Sequence, residues 1–193
     1  MASRIDEILK CIEESSKWIN VLPRQDERLV SIKNQYSINE ESTLGAIIYN
    51  TGGITVDGWI RLYGAGELDF YERNQIFPYD EIVIGEDILG GLFIIMENGN
   101  IAYFAPDTLE IEDMEISLGQ FVYWCLQGDT DTFYIDYRWD NWEEEVKKLS
   151  LDCGMSFYPY LWTEADSLEE RYREPIPMKE LIGIQMEFLQ QGI

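Results

Sequence analysis

Apolar residues recur at three- and four-residue spacing near the amino terminus, which is the pattern of an amphipathic helix. Residues Met1–Asn20 follow this pattern, and their apolar stripe is made by Ile5, Ile8, Leu9 and Ile12. Ser3 is placed to cap the helix, and Pro23 is expected to mark its end. A second helical signal starts near Ser37, which has capping-box spacing to Glu40.

Between Ile54 and Met114 the period of the pattern changes to two, as in strands that bury one face. The tight turn Asn98-Gly99-Asn100 joins two apolar runs and predicts a hairpin. Leu109 and Ile111 alternate with Glu110 and Glu112, which is typical of a half-buried strand at a sheet edge. The predicted strands are Trp59–Tyr63, Leu92–Met96, Ile101–Ala105 and Leu109–Ile111. They predict a mainly antiparallel sheet.

Helical spacing returns after Ser117 and again near Asp140, which is expected to cap a helix carrying Trp142. The aromatic segment Leu151–Trp162 is interpreted as irregular, and Glu164–Glu174 as a loop or short surface helix. Pro177 is expected to open a C-terminal helix. The fold class is therefore predicted as α+β: a mainly antiparallel sheet flanked by helices, with a helical C-terminal extension.

The composition fits one domain in 193 residues, since 46% of them are hydrophobic and 13% aromatic. Acidic residues number 37 against 14 basic ones, a formal net charge of −23, which argues against nucleic-acid binding by a basic face. The chain has no histidine, which excludes Ser-His-Asp catalysis and most zinc sites. Three cysteines, no targeting signal and no apolar run long enough to span a bilayer predict a cytoplasmic protein without membrane contact.

Two short motifs invite a chemical interpretation, and each has a structural one. Asp129-Thr130-Asp131-Thr132 resembles a phosphatase or metal-binding motif, but Phe133 occupies a position that either site needs for a ligand or threonine, so helix capping is favoured. Gly64-Ala65-Gly66 lacks the third glycine of a dinucleotide fingerprint and is interpreted as a turn. We predict no catalytic residue, no metal ligand and no cofactor.

Charge offers the more informative candidate site. Carboxylates cluster at Glu110–Glu115 and Glu143–Glu145, either as an ordinary solvated surface or as a docking surface for a basic protein. Trp59, Arg61 and Tyr63 share one face of a predicted strand and are residue types enriched in binding hot spots. The same pattern fits a strand face covered by a helix. The candidate partner-binding residues are Trp59, Arg61, Tyr63, Glu110, Glu112 and Glu115.

The order of elements and several stretches resemble the SUKH superfamily of Smi/Knr-like domains, closest to a bacterial branch classed as a domain of unknown function. The stretches are TLGAIIYNTGG (Thr43–Gly53), DGWIRLYGAG (Asp57–Gly66), LGGLFII (Leu89–Ile95), IAYFAPDTLEIE (Ile101–Glu112) and FYIDYRWDNW (Phe133–Trp142). The resemblance implies a single domain over residues 1–193, with a core at about residues 38–162 and an extension at about residues 163–193.

What the resemblance implies about function is a non-catalytic protein-binding domain. Many bacterial members of the superfamily resemble immunity proteins that neutralise toxins by direct binding, and fungal relatives resemble scaffold regulators. Three hypotheses stay open: an immunity protein whose partner is a basic toxin domain, a housekeeping scaffold or regulator, and a carboxylate-dependent hydrolase. The oligomeric state is left open.

Overall fold

A seven-stranded antiparallel sheet forms the centre of the computed structural model, which describes residues 3–164 and 167–192. Its strands lie side by side in chain order, so each pairs with the strand that follows it. The strands are β1 (Ile19–Val21), β2 (Ile54–Val56), β3 (Ile60–Leu62), β4 (Ile82–Asp87), β5 (Leu92–Ile95), β6 (Asn100–Ala105) and β7 (Glu110–Ser117). A simple meander of this kind leaves β1 and β7 as the two edges.

Helices flank the sheet, and a separate two-stranded sheet precedes the last helix. The helices are α1 (Arg4–Glu13), α2 (Asp26–Gln35), α3 (Thr43–Asn50), α4 (Phe70–Asn74), α5 (Leu118–Gln127), α6 (Thr130–Phe133), α7 (Trp142–Val146) and α8 (Met178–Gln191). The small antiparallel sheet pairs β8 (Cys153–Tyr158) with β9 (Tyr172–Pro177). The predicted α+β class, with its antiparallel sheet and C-terminal helix, is confirmed.

The strands with a clear alternating or continuous apolar pattern are the ones that the sequence predicted. They correspond to β3, β5, β6 and β7, and β7 continues further than its predicted end at Ile111. Two predicted helix starts are also confirmed: Ser3 forms a capping box with Asp6 at the start of α1, and Pro177 is the N-cap residue of α8. The predicted cap at Asp140 is wrong, because the N-cap residue of α7 is Asn141. Asp129 accepts a hydrogen bond from the amide of Thr132 and caps α6, as the capping interpretation requires.

The N-terminal prediction needs three corrections. The first helix ends at Glu13, and residues 19–21, predicted as its last turn, form β1 against β2. The helix α2 falls where no element was predicted. Ser42, rather than Ser37, caps α3 by accepting a hydrogen bond from the amide of Gly45. Residues 1 and 2 of the predicted helix lie outside the described residues.

The C-terminal prediction also needs correction, because β8 and β9 lie where an irregular segment and a loop or surface helix were expected. Met155 and Phe157, two residues apart on β8, are both buried, so the strand does follow a period of two. The prolines at both ends of the paired region and the many charges between the strands conceal that signal. Within the predicted loop, residues 165 and 166 lie outside the described residues, as does Ile193 at the end of the chain.

One continuous cluster of buried apolar side chains connects these parts. It includes Trp59 and Phe93 of the central sheet region, Phe157 of the hairpin and Leu181 of α8. The C-terminal hairpin and helix therefore pack on the same core as the seven-stranded sheet. In the described part of the chain, no helix combines the length and apolar character needed to cross a bilayer.

Candidate functional site

Trp59, Arg61 and Tyr63 lie inside the molecule, which corrects their assignment to a partner-binding surface. Each is 1% exposed or less. Trp59 packs against Tyr134 and Trp139, at ring-centroid distances of 5.3 and 5.7 Å. The interpretation of a strand face covered by other elements is therefore the one that describes them.

Arg61 and Tyr63 surround a fully buried carboxylate, Glu86 of β4. The Tyr63 hydroxyl donates to Glu86 Oε2 at 2.7 Å, and Arg61 and Arg73 lie 3.4 and 3.3 Å from the same carboxylate. Burial, with the neighbouring Glu86 charge, raises the pKa of Tyr63 above its usual value, so the hydroxyl remains a donor. Two cations and one hydroxyl thus satisfy a charge that burial alone would make very costly.

The next residue, Asp87, occupies a second buried network. Its Oδ1 accepts from the amides of Leu89 and Gly91 at 2.9 and 3.0 Å. Its Oδ2 accepts from the hydroxyls of Tyr103 and Tyr134 at 2.6 and 3.0 Å. Burial raises the pKa of Asp87, while these four hydrogen bonds act in the opposite direction.

Neither buried carboxylate is arranged as a hydrolase pair would need. Adjacent residues of a strand point to opposite faces of the sheet, so Glu86 and Asp87 do not converge. Both are 0% exposed, and each is already satisfied by protein groups. Their arrangement holds the fold together. Neither carboxylate was predicted to be buried, although a Glu-Asp pair inside the otherwise apolar stretch Ile82–Leu89 indicates buried ionic groups.

The predicted acidic residues of β7, in contrast, are on the surface. Glu110, Glu112 and Glu115 are exposed, as is Asp113 between them, and Ile111 remains 47% exposed. Among the described residues, no strand pairs with the outer side of β7. We call these five positions, 110–113 and 115, the acidic edge.

The backbone of the acidic edge also has free hydrogen-bonding groups. Met96 donates its amide to the carbonyl of Asn100 at 2.9 Å, so the backbone of Asn100 faces β5. Strict alternation along β6 then turns Tyr103 and Ala105 towards β7, where their partners are Glu112 and Glu110. The N–H and C=O groups of Ile111 and Asp113 therefore point away from the sheet. They are spaced as an added strand would require.

A bulge divides the acidic edge. Ala102 pairs with Asp113 and Ile101 with Ile116, so Met114 and Glu115 are extra residues on β7. Asp113 Oδ1 accepts from the amide of Glu115 at 2.7 Å, and this bond lowers the pKa of Asp113. The bulge separates Glu115 from Glu110 and Glu112, which share one face of the strand.

Further acidic groups lie beside that face. The hydroxyl of Tyr137 donates to Asp107, in the turn before β7. Burial and this bond raise the pKa of Tyr137, and the charges of Asp136 and Glu112 add to the shift because they lie nearby. The negative field at this end of the sheet therefore comes from three segments of the chain.

The second predicted acidic cluster, Glu143–Glu145, is partly neutralised within the molecule. Arg173 of β9 binds Glu145 through two hydrogen bonds of 2.8 and 3.1 Å. Lys147 pairs with Glu144 at 2.7 Å. The acidic edge is consequently the better candidate for attracting a cationic partner.

The sequence of this chain matches a family of known proteins. The sequence matches the family described as "Protein of unknown function DUF2625" over residues 2–181. It is 31% identical over 188 residues to the putative uncharacterized protein YbfG of Escherichia coli, covering 90% of this chain and 86% of that protein. It is 28% identical over 191 residues to an uncharacterized protein of Haemophilus influenzae, covering 83% of this chain and 82% of the relative.

No solved structure shows significant similarity to the chain. The family match includes the whole seven-stranded sheet, its acidic edge and the C-terminal hairpin. The chain therefore belongs to the DUF2625 family of proteins of unknown function.

Proposed function

We propose that this chain is a non-catalytic protein-binding domain that docks a cationic segment of another protein on the acidic edge. The observation that carries the proposal is an eight-residue edge strand that is largely solvent-exposed, acidic and open on its outer side. The SUKH resemblance supports the same class of function, since many bacterial members of that superfamily resemble immunity proteins. The resemblance and the acidic edge together favour a basic toxin domain as the partner.

The acidic edge has the chemistry to select such a partner. An added strand would hydrogen-bond to the outward groups of Ile111 and Asp113, while its side chains would meet Glu110 and Glu112 on one face. Exposed charges on an edge strand also discourage pairing with another copy of the same strand, because like charges would face each other. The carboxylates of the acidic edge therefore attract a basic strand and repel a second copy of this chain.

Affinity purification from the native host, followed by binding kinetics on any partner, tests the proposal. Carboxylate steering predicts an association rate that falls by about tenfold or more when salt rises from about 0.1 M to about 1 M. The triple variant Glu110→Gln, Glu112→Gln, Glu115→Gln should slow association more than it speeds dissociation. The matched control is Glu13→Gln, Glu27→Gln, Glu41→Gln, which removes the same charge from exposed positions elsewhere.

An acidic partner, an association rate indifferent to salt, or equal effects of the two triple variants would contradict the proposal. A partner encoded beside this chain as a toxin favours the immunity role, and a partner of housekeeping function favours the scaffold role.

Binding of a synthetic peptide tests strand addition directly. A peptide of alternating lysine and valine should bind the chain, and the Glu110→Gln, Glu112→Gln double variant should bind it more weakly. The same peptide with alternate backbone amides methylated keeps its charge but cannot pair along the edge. Equal binding of both peptides would show that charge attraction alone accounts for the binding, which would contradict strand addition.

A further inference from the structure

A polar cleft lies near the opposite edge of the sheet from β7. The cleft is lined by residues 16–18, which precede β1, by the β2–β3 turn, by the end of α5 and by the helices α6 and α7, and its volume is about 560 Å³. That volume is within the range of about 300–1,000 Å³ that small-molecule sites occupy. The cleft shares no lining residue with the acidic edge, so what it binds is independent of the proposed docking function.

Two indole rings form walls of the cleft. Trp18 is 50% exposed, unusual for the largest apolar side chain, and it lines the cleft together with Trp142. Trp142 is held in place by two neighbours, because the Arg138 guanidinium lies 4.3 Å from its ring centroid and the Trp59 ring 5.1 Å away. The cleft is thus lined by one exposed indole, Trp18, and one whose position is fixed by its neighbours, Trp142.

The cleft is also lined by hydrogen-bond donors and acceptors. Lys17 Nζ donates to the carbonyl of Cys125 at 2.8 Å and to Thr130 Oγ1 at 3.0 Å, which uses two of its three N–H groups within the described residues. Asp57 Oδ1 accepts from the backbone amide of Trp18 at 3.0 Å, which fixes this carboxylate against the Trp18 backbone. Asp131 is held by an ion pair with Arg138.

Arg138 itself has a buried Nε with no hydrogen-bond partner among the described residues, although its side chain is 9% exposed. Its charge is shared between the Asp131 carboxylate and the rings of Trp59, Tyr134 and Trp142. Such a cation fixes the aromatic wall and Asp131 before any ligand arrives, and preorganisation of this kind lowers the cost of binding.

The mixture of charges narrows the class of ligand. A simple anion would be repelled by the carboxylates of Asp57, Asp131 and Glu143. A simple cation would be repelled by Lys17 and Lys147. A ligand that both donates and accepts hydrogen bonds, and that has an apolar face to lie on an indole, can contact the charged, polar and aromatic parts of the lining. Sugars have this combination, because a pyranose ring carries hydroxyl groups around its rim and C–H groups on its faces. We propose that the cleft is a saccharide-binding site with Trp18 as its stacking platform.

A glycan array tests the proposal with the full chain as the probe. Fluorescently labelled protein is applied to printed saccharides of one to four sugar units, and each positive is titrated in solution by tryptophan fluorescence. We expect at least one saccharide to bind. Trp18→Ala should weaken that binding by about tenfold or more, since it removes the platform, and Asp57→Asn by a smaller factor, since it keeps the acceptor for the Trp18 amide.

Tyr123→Ala is the matched control, because Tyr123 is 60% exposed and does not line the cleft. It should leave the affinity unchanged. Asp57 has a φ of +55°, a conformation that asparagine tolerates well, so the second variant remains folded even if loss of Trp18 perturbs the local packing. Absence of any bound saccharide, or binding that survives both cleft variants, overturns the proposal.

Discussion

Arg61 joins the central sheet to the C-terminal segment through hydrogen bonds to backbone carbonyls. Its Nη1 donates to the carbonyls of Cys153 at 2.7 Å and Leu151 at 3.1 Å, and Arg73 donates to the same Leu151 carbonyl at 2.7 Å. Because Glu86 also pairs with both guanidinium groups, one buried carboxylate and one chain segment share two arginines.

Replacing Arg61 by methionine tests this role. The variant keeps the apolar stem but leaves Glu86 with one cation and removes the Arg61 donor from the carbonyls of Leu151 and Cys153, so we expect a loss of about 3–5 kcal/mol of unfolding free energy. Arg4→Met is the control, since Arg4 is half exposed and pairs on the surface with Glu7, where the expected loss is about 1 kcal/mol or less. Denaturant unfolding measures both, and similar losses would contradict a structural role for the buried network.

At the scale of elements, the turn between β4 and β5 is clamped by α8. Gln185 of α8 is 1% exposed and donates to the carbonyl of Leu89 at 2.8 Å. A Cβ atom added at Gly90 would come within 2.7 Å of the Gln185 amide. The C-terminal helix therefore packs closely against a turn that lies about a hundred residues earlier in the chain.

Two glycine variants separate packing from backbone strain. Gly90 and Gly99 have φ values of +83° and +84°, so alanine at either position carries similar strain of about 1–2 kcal/mol. A Cβ at Gly99 meets nothing within 4 Å, whereas at Gly90 it displaces the Gln185 side chain from its buried hydrogen bond. We expect Gly90→Ala to lower the unfolding free energy more than Gly99→Ala in denaturant melts. Equal losses would show that α8 does not constrain the turn.

At the scale of the whole molecule, the net charge of −23 is far greater than the magnitude of about 2–8 that keeps a small domain soluble. The excess opposes the compact state by self-repulsion, and the acidic edge concentrates part of it on one strand. The open strand and its carboxylates therefore act on stability as well as on binding.

Sodium chloride should consequently stabilise this protein. As the Debye length falls from about 10 Å at 0.1 M to about 3 Å at 1 M, we expect the unfolding temperature to rise by about 2–4 °C or more. The Glu110→Gln, Glu112→Gln, Glu115→Gln variant should start from a higher unfolding temperature at low salt and gain less from added salt. Scanning calorimetry measures both quantities, and an unfolding temperature that is flat or falls with salt would contradict the argument.

The sequence by itself determined the features that depend on neighbours close along the chain. Alternating or continuous apolar patterns predicted β3, β5, β6 and β7, and alternation also predicted that Glu110 and Glu112 face water at a sheet edge. The cap at Ser3 and the proline before α8 predicted two helix starts. Local pattern is enough in these cases because hydrophobic period and capping act within one or two turns.

The tertiary structure decided the rest. Residues 19–21 were predicted as the end of the first helix, and only their pairing with β2, more than thirty residues away, defines them as the strand β1. The pattern of Trp59, Arg61 and Tyr63 fits a covered face and a partner-binding face equally well, and packing by Tyr134, Trp139 and the C-terminal segment decides between them. The cleft beside Trp18 has no sequence signature, because its walls come from segments that meet only when the whole chain has folded.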